Sequence, residues 1–426
     1  MNRERSSSTA RIVGLAAVSW MTLVAVATAQ QTEVRWGQWK GTEVGADFMA
    51  EVEAAFEADH PEIDLVIIDS PFQGFHDRAI VLHQAGQLPD VLMAQVDWVA
   101  EFADLEILAP LDDFIAGEPA EFMGNIPETF HTKWRGHQYY LPVESGAVAM
   151  FYNKDIFEAA GIEGPPTTWD EFAETARAVT DPGSMVFAVT GTLASEPPTN
   201  MTYEIYPLIL QAGGTIIDTE TNQAAFNSEA GVKALEWYVE RINGDNISMP
   251  GVLSNGEREK RANFSTGNVA MMFEGPWGIA IQRQLNPDLN YGIAPLPEGE
   301  TSGTLVRGSL NTMTTQAENP EAAWTFMKWL SGPKGNEIWA KGTGAFPART
   351  DVSSQEWFKE RELFQAFVTQ MERPNAVSPF LVMPNAVQMN KIVTTEVQHV
   401  IQGTKSAQEA LDAAAEQWNE IFAAAN

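Results

Sequence analysis

After residue 30, short apolar runs alternate with stretches of helical spacing, and this alternation limits the architectures open to the chain. Val34-Arg35-Trp36 begins a strand, residues 44–58 carry helical spacing in Phe48, Val52, Ala55 and Phe56, and Leu65-Val66-Ile67-Ile68 reads as the next buried strand. A helix over 75–85 leads to the strand Asp90-Val91-Leu92-Met93, and helical spacing returns over 97–105. Such a β-α-β order predicts an α/β fold, with a mostly parallel sheet covered by helices. At 426 residues the chain is long enough to bury two full cores.

The middle of the chain predicts a second core. Residues 139–143 and 147–151 read as two strands about a Glu144-Ser145-Gly146 turn, followed by helices over 153–160 and 168–179. Thr168 and Glu171 have the hydroxyl and acid placement of a helix start. Further helices are expected over 203–211, 229–242, 257–264, 318–330, 357–371, 386–401 and 406–423. The Gly/Pro-rich passage 293–303 is the candidate crossing between domains. Val269 to Phe273 reads as a buried strand that turns at Gly275-Pro276 directly into a helix. That corner places Trp277 at the carboxyl end of a sheet, where open α/β folds bind ligands; the other reading makes the ring a plug between helix and sheet.

The amino terminus carries an address. Arg3, Arg5 and Arg11 precede an apolar run over 12–26 that ends in Ala27-Thr28-Ala29, so residues 1–29 are expected to be a signal peptide cleaved near Ala29. No cysteine occurs, which excludes disulfides and a thioether-linked lipid and favours a free periplasmic monomer. With 57 acids against 26 bases the formal net charge is -31, which argues against nucleic acid or an anionic membrane as partner. No nucleophile elbow, Walker loop or HExxH helix occurs, the six histidines form no ligand spacing, and no metal or cofactor is expected. A glycoside hydrolase also combines carboxylates with aromatic rings and is the rival reading, but 57 acids make carboxylate pairing uninformative.

Several motifs, in order, resemble the carbohydrate-binding components of ABC importers, those of the maltose-binding type above all. They are Pro89-Asp90-Val91 followed by Asp97; Leu141-Pro142-Val143-Glu144 leading to Phe151-Tyr152-Asn153-Lys154-Asp155; Pro165 to Glu171; Gly275-Pro276-Trp277; and Met383-Pro384-Asn385. The resemblance runs from about Val34 to the carboxyl terminus. It implies two α/β lobes, residues 30–141 with 304–345 and residues 142–303 with 346–426, closing about a hinge on a sugar that a membrane permease then receives. A receptor of the same fold for an anionic sugar derivative or a polyol is the alternative, and no catalysis is implied.

By the same resemblance, Asp97 and Glu144 match acids that hold sugar hydroxyls, Lys40 matches a lysine that reaches the sugar, and Tyr203 and Trp277 match rings that stack on it. Aromatic faces suit the C–H faces of a sugar, and carboxylates suit its hydroxyl rim. The chain departs from the pattern at Ala94 and Val393, where the maltose-binding type has tryptophan, and at Trp98, which replaces an arginine. Trp36, Trp39, Phe72 and Trp98 are candidate replacement platforms, or simply core. Arg307 and Arg349 follow turn-rich loops and suit a bidentate clamp on an anionic sugar, or an ion pair with a local acid.

Overall fold

The computed structural model describes residues 31–194 and 203–425, and the expected leader, residues 1–29, lies outside them. Its strands are β1 (Thr32–Gln38), β2 (Ile63–Asp69), β3 (Val91–Gln95), β4 (Tyr140–Pro142), β5 (Glu144–Ala147), β6 (Ala149–Asn153), β7 (Ile217–Asp218), β8 (Gln223–Ala224), β9 (Met271–Glu274), β10 (Tyr291–Ala294), β11 (Thr304–Arg307), β12 (Ser309–Met313), β13 (Phe346–Pro347) and β14 (Ala376–Val377).

The first sheet has the order β2-β1-β3-β12-β4. β1 runs parallel to β2 and β3, while β12 is antiparallel to both of its neighbours, so the sheet is mixed rather than mostly parallel. Alternation along β1 sends Val34 and Trp36 to one face and Arg35 and Gly37 to the other. Trp36 meets Phe326 at 5.0 Å and Trp339 at 5.7 Å, and its indole N–H donates to Asn311 Oδ1 at 3.0 Å. A buried tryptophan is thus both packed and satisfied. Helix Ala46–Asp59 lays Val52 and Phe56 on this core, as its spacing predicts, with Met49 beside them and the expected Phe48 and Ala55 only partly buried.

The second sheet, β10-β6-β9, is antiparallel throughout. Both its faces are covered. Val148, just before β6, and Met150 belong to one core with Phe172 and Ala176, while Ala149 and Phe151 face Phe264 and Phe367. The helix that supplies Phe172 and Ala176 starts as expected, with Thr168 Oγ1 accepting from the N–H of Glu171, and Asn153 Oδ1 caps the helix that follows β6 by accepting from the N–H of Asp155 and Ile156.

A third sheet, β13-β5-β11-β14, joins four distant parts of the chain. Here the expected turn at Glu144-Ser145-Gly146 is overturned, because these residues are the strand β5, buried along its length and paired on both sides. Gly146 serves close approach rather than a turn: a Cβ there would stand 2.4 Å from the Pro276 ring. The passage 293–303 begins inside β10, and Thr301 N–H then donates to Gln211 O. The chain leaves the third sheet for the first at Gly308, between β11 and β12.

Other helices follow the sequence closely. Ala386–Ile401 and Ala407–Ala425 pack through Met389, Val393, Leu411 and Trp418, so Val393 is core. The expected helix 357–371 is broken into Glu356–Lys359 and Glu362–Glu372, and Pro333–Thr343, which opens on a proline, was not foreseen.

A Cβ on Gly308 would stand 2.1 Å from the carbonyl oxygen of Glu144, a backbone atom with no room to yield. Gly308→Ala should therefore destabilise the protein by about 1–3 kcal/mol, the usual cost of overpacking. Urea unfolding that leaves the midpoint unchanged would disprove this constraint.

Candidate functional site

Two strands of the first sheet end side by side, and each is followed by a tryptophan and a charged residue. After β1 come Trp39 and Lys40; after β3 come Asp97 and Trp98. Trp39 and Trp98 precede the short helices Lys40–Val44 and Val99–Asp104. Their rings lie 5.6 Å apart and share Phe75, which is edge-on to Trp39 and parallel to Trp98. Phe72 stacks on Trp98 and is 45 % exposed, so the aromatic set reaches the surface through it. Trp36 has no part in this group and lies in the core beside Phe326.

Buried charges lie next to these rings. Lys40 Nζ stands 3.0 Å from Glu144 Oε1, which also accepts from Ser309 Oγ at 2.6 Å, while Trp339 Nε1–H reaches Oε2 at 3.4 Å. Burial alone would lower the Lys40 ammonium pKa, but Glu144 and Glu43 together raise it above the ordinary lysine value. On the other side of Gly308, Arg307 pairs with Asp97 at 3.3 Å and lies over the Phe380 ring at 5.0 Å. Burial opposes the charge of Arg307, and Asp97, Tyr203 and Glu257 more than restore it.

Tyr203 is buried with Lys260 Nζ 3.5 Å from its ring centre, and burial pushes its phenol far above the usual range. Lys260 and Arg261 both converge on Glu274, at 3.4 and 2.7 Å. Burial would raise the Glu274 carboxyl, but the two cations hold it below the usual carboxylate range. Glu274 also accepts from Gly275 N–H at 3.0 Å and from Trp277 Nε1–H at 2.6 Å. The Trp277 ring therefore folds back over Gly275, where a Cβ would stand 2.2 Å from it, and is half-buried against the second core. This differs from a ring projecting freely from the corner, because its N–H is tied to the strand it follows.

Lys40 with Glu144 and Arg307 with Asp97 thus form two buried ion pairs on either side of Gly308, with Trp39 and Trp98 next to Lys40 and Asp97 in the chain, while Tyr203 and Trp277 join the Lys260-Arg261-Glu274 group. Arg349 belongs to neither. Its guanidinium donates to both oxygens of Asp351, at 2.9 and 2.8 Å, and to the carbonyls of Phe122 and Ser331. Those bonds occupy the fork in a structural tie, which corrects the expectation of a ligand clamp there. Sequence reasoning missed Glu274, Lys260 and Arg261. The available signal was an acid closing the apolar strand Met271–Glu274, immediately before the Gly-Pro corner.

The chain matches the model of the bacterial extracellular solute-binding proteins over residues 38–337 and belongs to that family. It is 26% identical over 386 residues to a binding protein of Brucella abortus whose name carries no ligand, covering 89% of this chain and 91% of that one. It is 25% identical over 340 residues to the maltotriose-binding protein of Pyrococcus abyssi, covering 78% and 69%. Among solved structures, an ABC transporter solute-binding protein from Thermotoga lettingae bound with alpha-D-tagatose superposes with a TM-score of 0.80 at 26% identity, over 92% of this chain and all of that one. The fold is the two-lobed one of these periplasmic binding proteins.

His76, behind Trp98, tests the electrostatics of this region. Its ring nitrogens lie 2.9 Å from Asp77 and 3.1 Å from Glu101. Burial would lower its pKa, but the hydrogen bonds to Glu101 and Asp77 raise it above the usual histidine value. A raised folded pKa contributes stability that is fully present below the unfolded value and is lost as pH rises through the folded one. His76→Gln should accordingly cost more stability at pH about 5 than at pH about 9, measured by urea unfolding of both proteins. Equal losses at the two pH values would refute the pairing.

Proposed function

We propose that this chain is the receptor of an ABC importer and captures a sugar or oligosaccharide between two lobes, residues 30–141 with 304–345 and residues 142–303 with 346–426. The sheets support this division, since the first draws its strands almost wholly from the former ranges and β10-β6-β9 from the latter, with β5 and β11 between. The observation that carries the reading is the polar set made of two buried ion pairs, Lys40 with Glu144 and Arg307 with Asp97, accompanied by Trp39 and Trp98 and by the second group that holds Tyr203 and Trp277. Hydroxyl rims suit paired acids and bases, and sugar faces suit the rings. Relatives and structural neighbours with sugars in their names point the same way.

Ligand contacts made to both lobes only when they close would drive closure, and the closed form is what a permease would take up. A neutral sugar is favoured over an anionic derivative, because Lys40, Lys260, Arg261 and Arg307 each already have a carboxylate within ion-pair distance. As a receptor it returns its ligand intact, in contrast to a glycoside hydrolase, and acts as a monomer. Among the described residues no helix is long and apolar enough to cross a membrane. Export to the periplasm with cleavage near Ala29 completes the proposal.

A thermal-shift screen over mono- and oligosaccharides, polyols and sugar phosphates should find a sugar that raises the melting temperature. Stabilisation by a sugar phosphate alone would overturn the neutral-sugar reading, and oligosaccharide cleavage would overturn the receptor. With that sugar, Asp97→Asn and Glu144→Gln should each weaken binding by about 1.5–3 kcal/mol in calorimetry, the worth of hydrogen bonds to charged groups. Affinity unchanged in both would remove these acids from the site. Mass spectrometry of the exported protein should find Gln30 or a close neighbour at its terminus, and a retained apolar segment would contradict the proposed cleavage.

A further inference from the structure

A cavity of about 440 Å³ lies beneath helix Phe75–Gln84, against the face of the first sheet to which Arg35 and Gly37 point. Phe75 and Leu82 give it an apolar wall, and Arg35, Arg78, Ser70 and Gln87 give it polar groups. Its volume is that of a small-molecule site. Arg135, Arg177, Arg241, Arg261, Arg307, Arg349 and Arg373 each have a carboxylate within ion-pair distance. Arg35 instead has a long contact from Nη1 to the carbonyl of Leu88 at 3.5 Å, and neither it nor Arg78 has an acid partner among the described residues. Among the described residues Arg258, Arg283 and Arg361 also lack an acid within ion-pair distance, but here two such arginines line one cavity. In a chain with 57 acids and 26 bases, this cavity is lined by two arginines and no acid; the nearby Asp90 carboxylate is taken up by the backbone N–H of Arg35 at 2.8 Å.

We propose that this cavity is a second ligand site, for a small organic carboxylate with an apolar body. Arg35 and Arg78 take the carboxylate, for which the planar guanidinium is suited, and the body lies along Phe75 and Leu82. The site is distinct from the polar set that holds Lys40 and Asp97, although Phe75 forms a wall of the cavity and also touches Trp39 and Trp98.

Octanoate is a suitable probe, with octanol and inorganic phosphate as comparators. In calorimetry octanoate should bind the parent protein, and both octanol, which lacks the charge, and phosphate, which lacks the body, should bind at least tenfold more weakly. Arg35→Gln with Arg78→Gln should weaken octanoate at least tenfold while the response to the cleft sugar is kept, so the two sites are tested separately. Arg78→Gln alone, at an exposed position, gives the same direction if the double variant folds poorly. Ala79→Leu, which fills the cavity but leaves both arginines, should also reduce binding. No binding by the parent at millimolar octanoate, equal binding of phosphate, or affinity unchanged in the arginine variants would each overturn the proposal.

Discussion

Glu144 is a carboxylate taken out of water at the point where the sheets meet, and the surrounding arrangement is what makes that tolerable. A buried charge costs several kcal/mol unless it is paired and its remaining lone pairs are satisfied. Lys40 arrives from the end of β1, Ser309 from the start of β12 and Trp339 from helix Pro333–Thr343, so one side chain registers four segments against each other. The backbone of Glu144 is held as well, because its carbonyl lies against Gly308 with no space for a side chain. Loss of any partner would leave a charge or donor stranded in the interior, and this penalises alternative packings more than it stabilises the native one.

The same logic governs the rest of the polar set. Arg307 and Ser309 flank Gly308, so the contacts to Asp97 and Glu144 depend on the single residue that joins β11 to β12. Under the proposed function, a ligand hydroxyl entering here would exchange one hydrogen-bond partner for another and meet groups already charged and oriented, which would lower the cost of ordering them on binding. Glu274 does the corresponding task for the second sheet, where it fixes the direction of the Trp277 indole through its N–H.

Much of the fold was legible in the sequence because it rests on local pattern. The alternation from Val34 to Leu105, the helix start at Thr168 and the helix Ala386–Ile401 all follow from spacing and short-range chemistry. The misreadings share a different cause. Glu144-Ser145-Gly146 has the composition of a turn, and only pairing with strands more than a hundred residues away makes it a strand. Trp277, Arg349 and the Lys260-Arg261-Glu274 group are set by partners that spacing cannot reveal, since an arginine beside a turn is the same residue whether it faces a ligand or Asp351. Asp97 and Glu144 were singled out through family resemblance, and neither strand pattern nor charge alone distinguishes them among 57 acids.

The position of β12 bears on the order in which the molecule can be assembled. β12 lies between β3 and β4 in the first sheet, yet residues 143–308 separate it from β4 along the chain. During synthesis at about 5–20 residues per second, those residues take on the order of ten seconds to appear. Through that interval β4 has no neighbour in its sheet and β3 presents an open edge, the kind of edge that invites pairing with another chain. The lobe that begins the protein therefore cannot close until most of the other has been made, and a nascent chain of this topology stays unfinished, and receptive to any factor that keeps it so, for most of its translation.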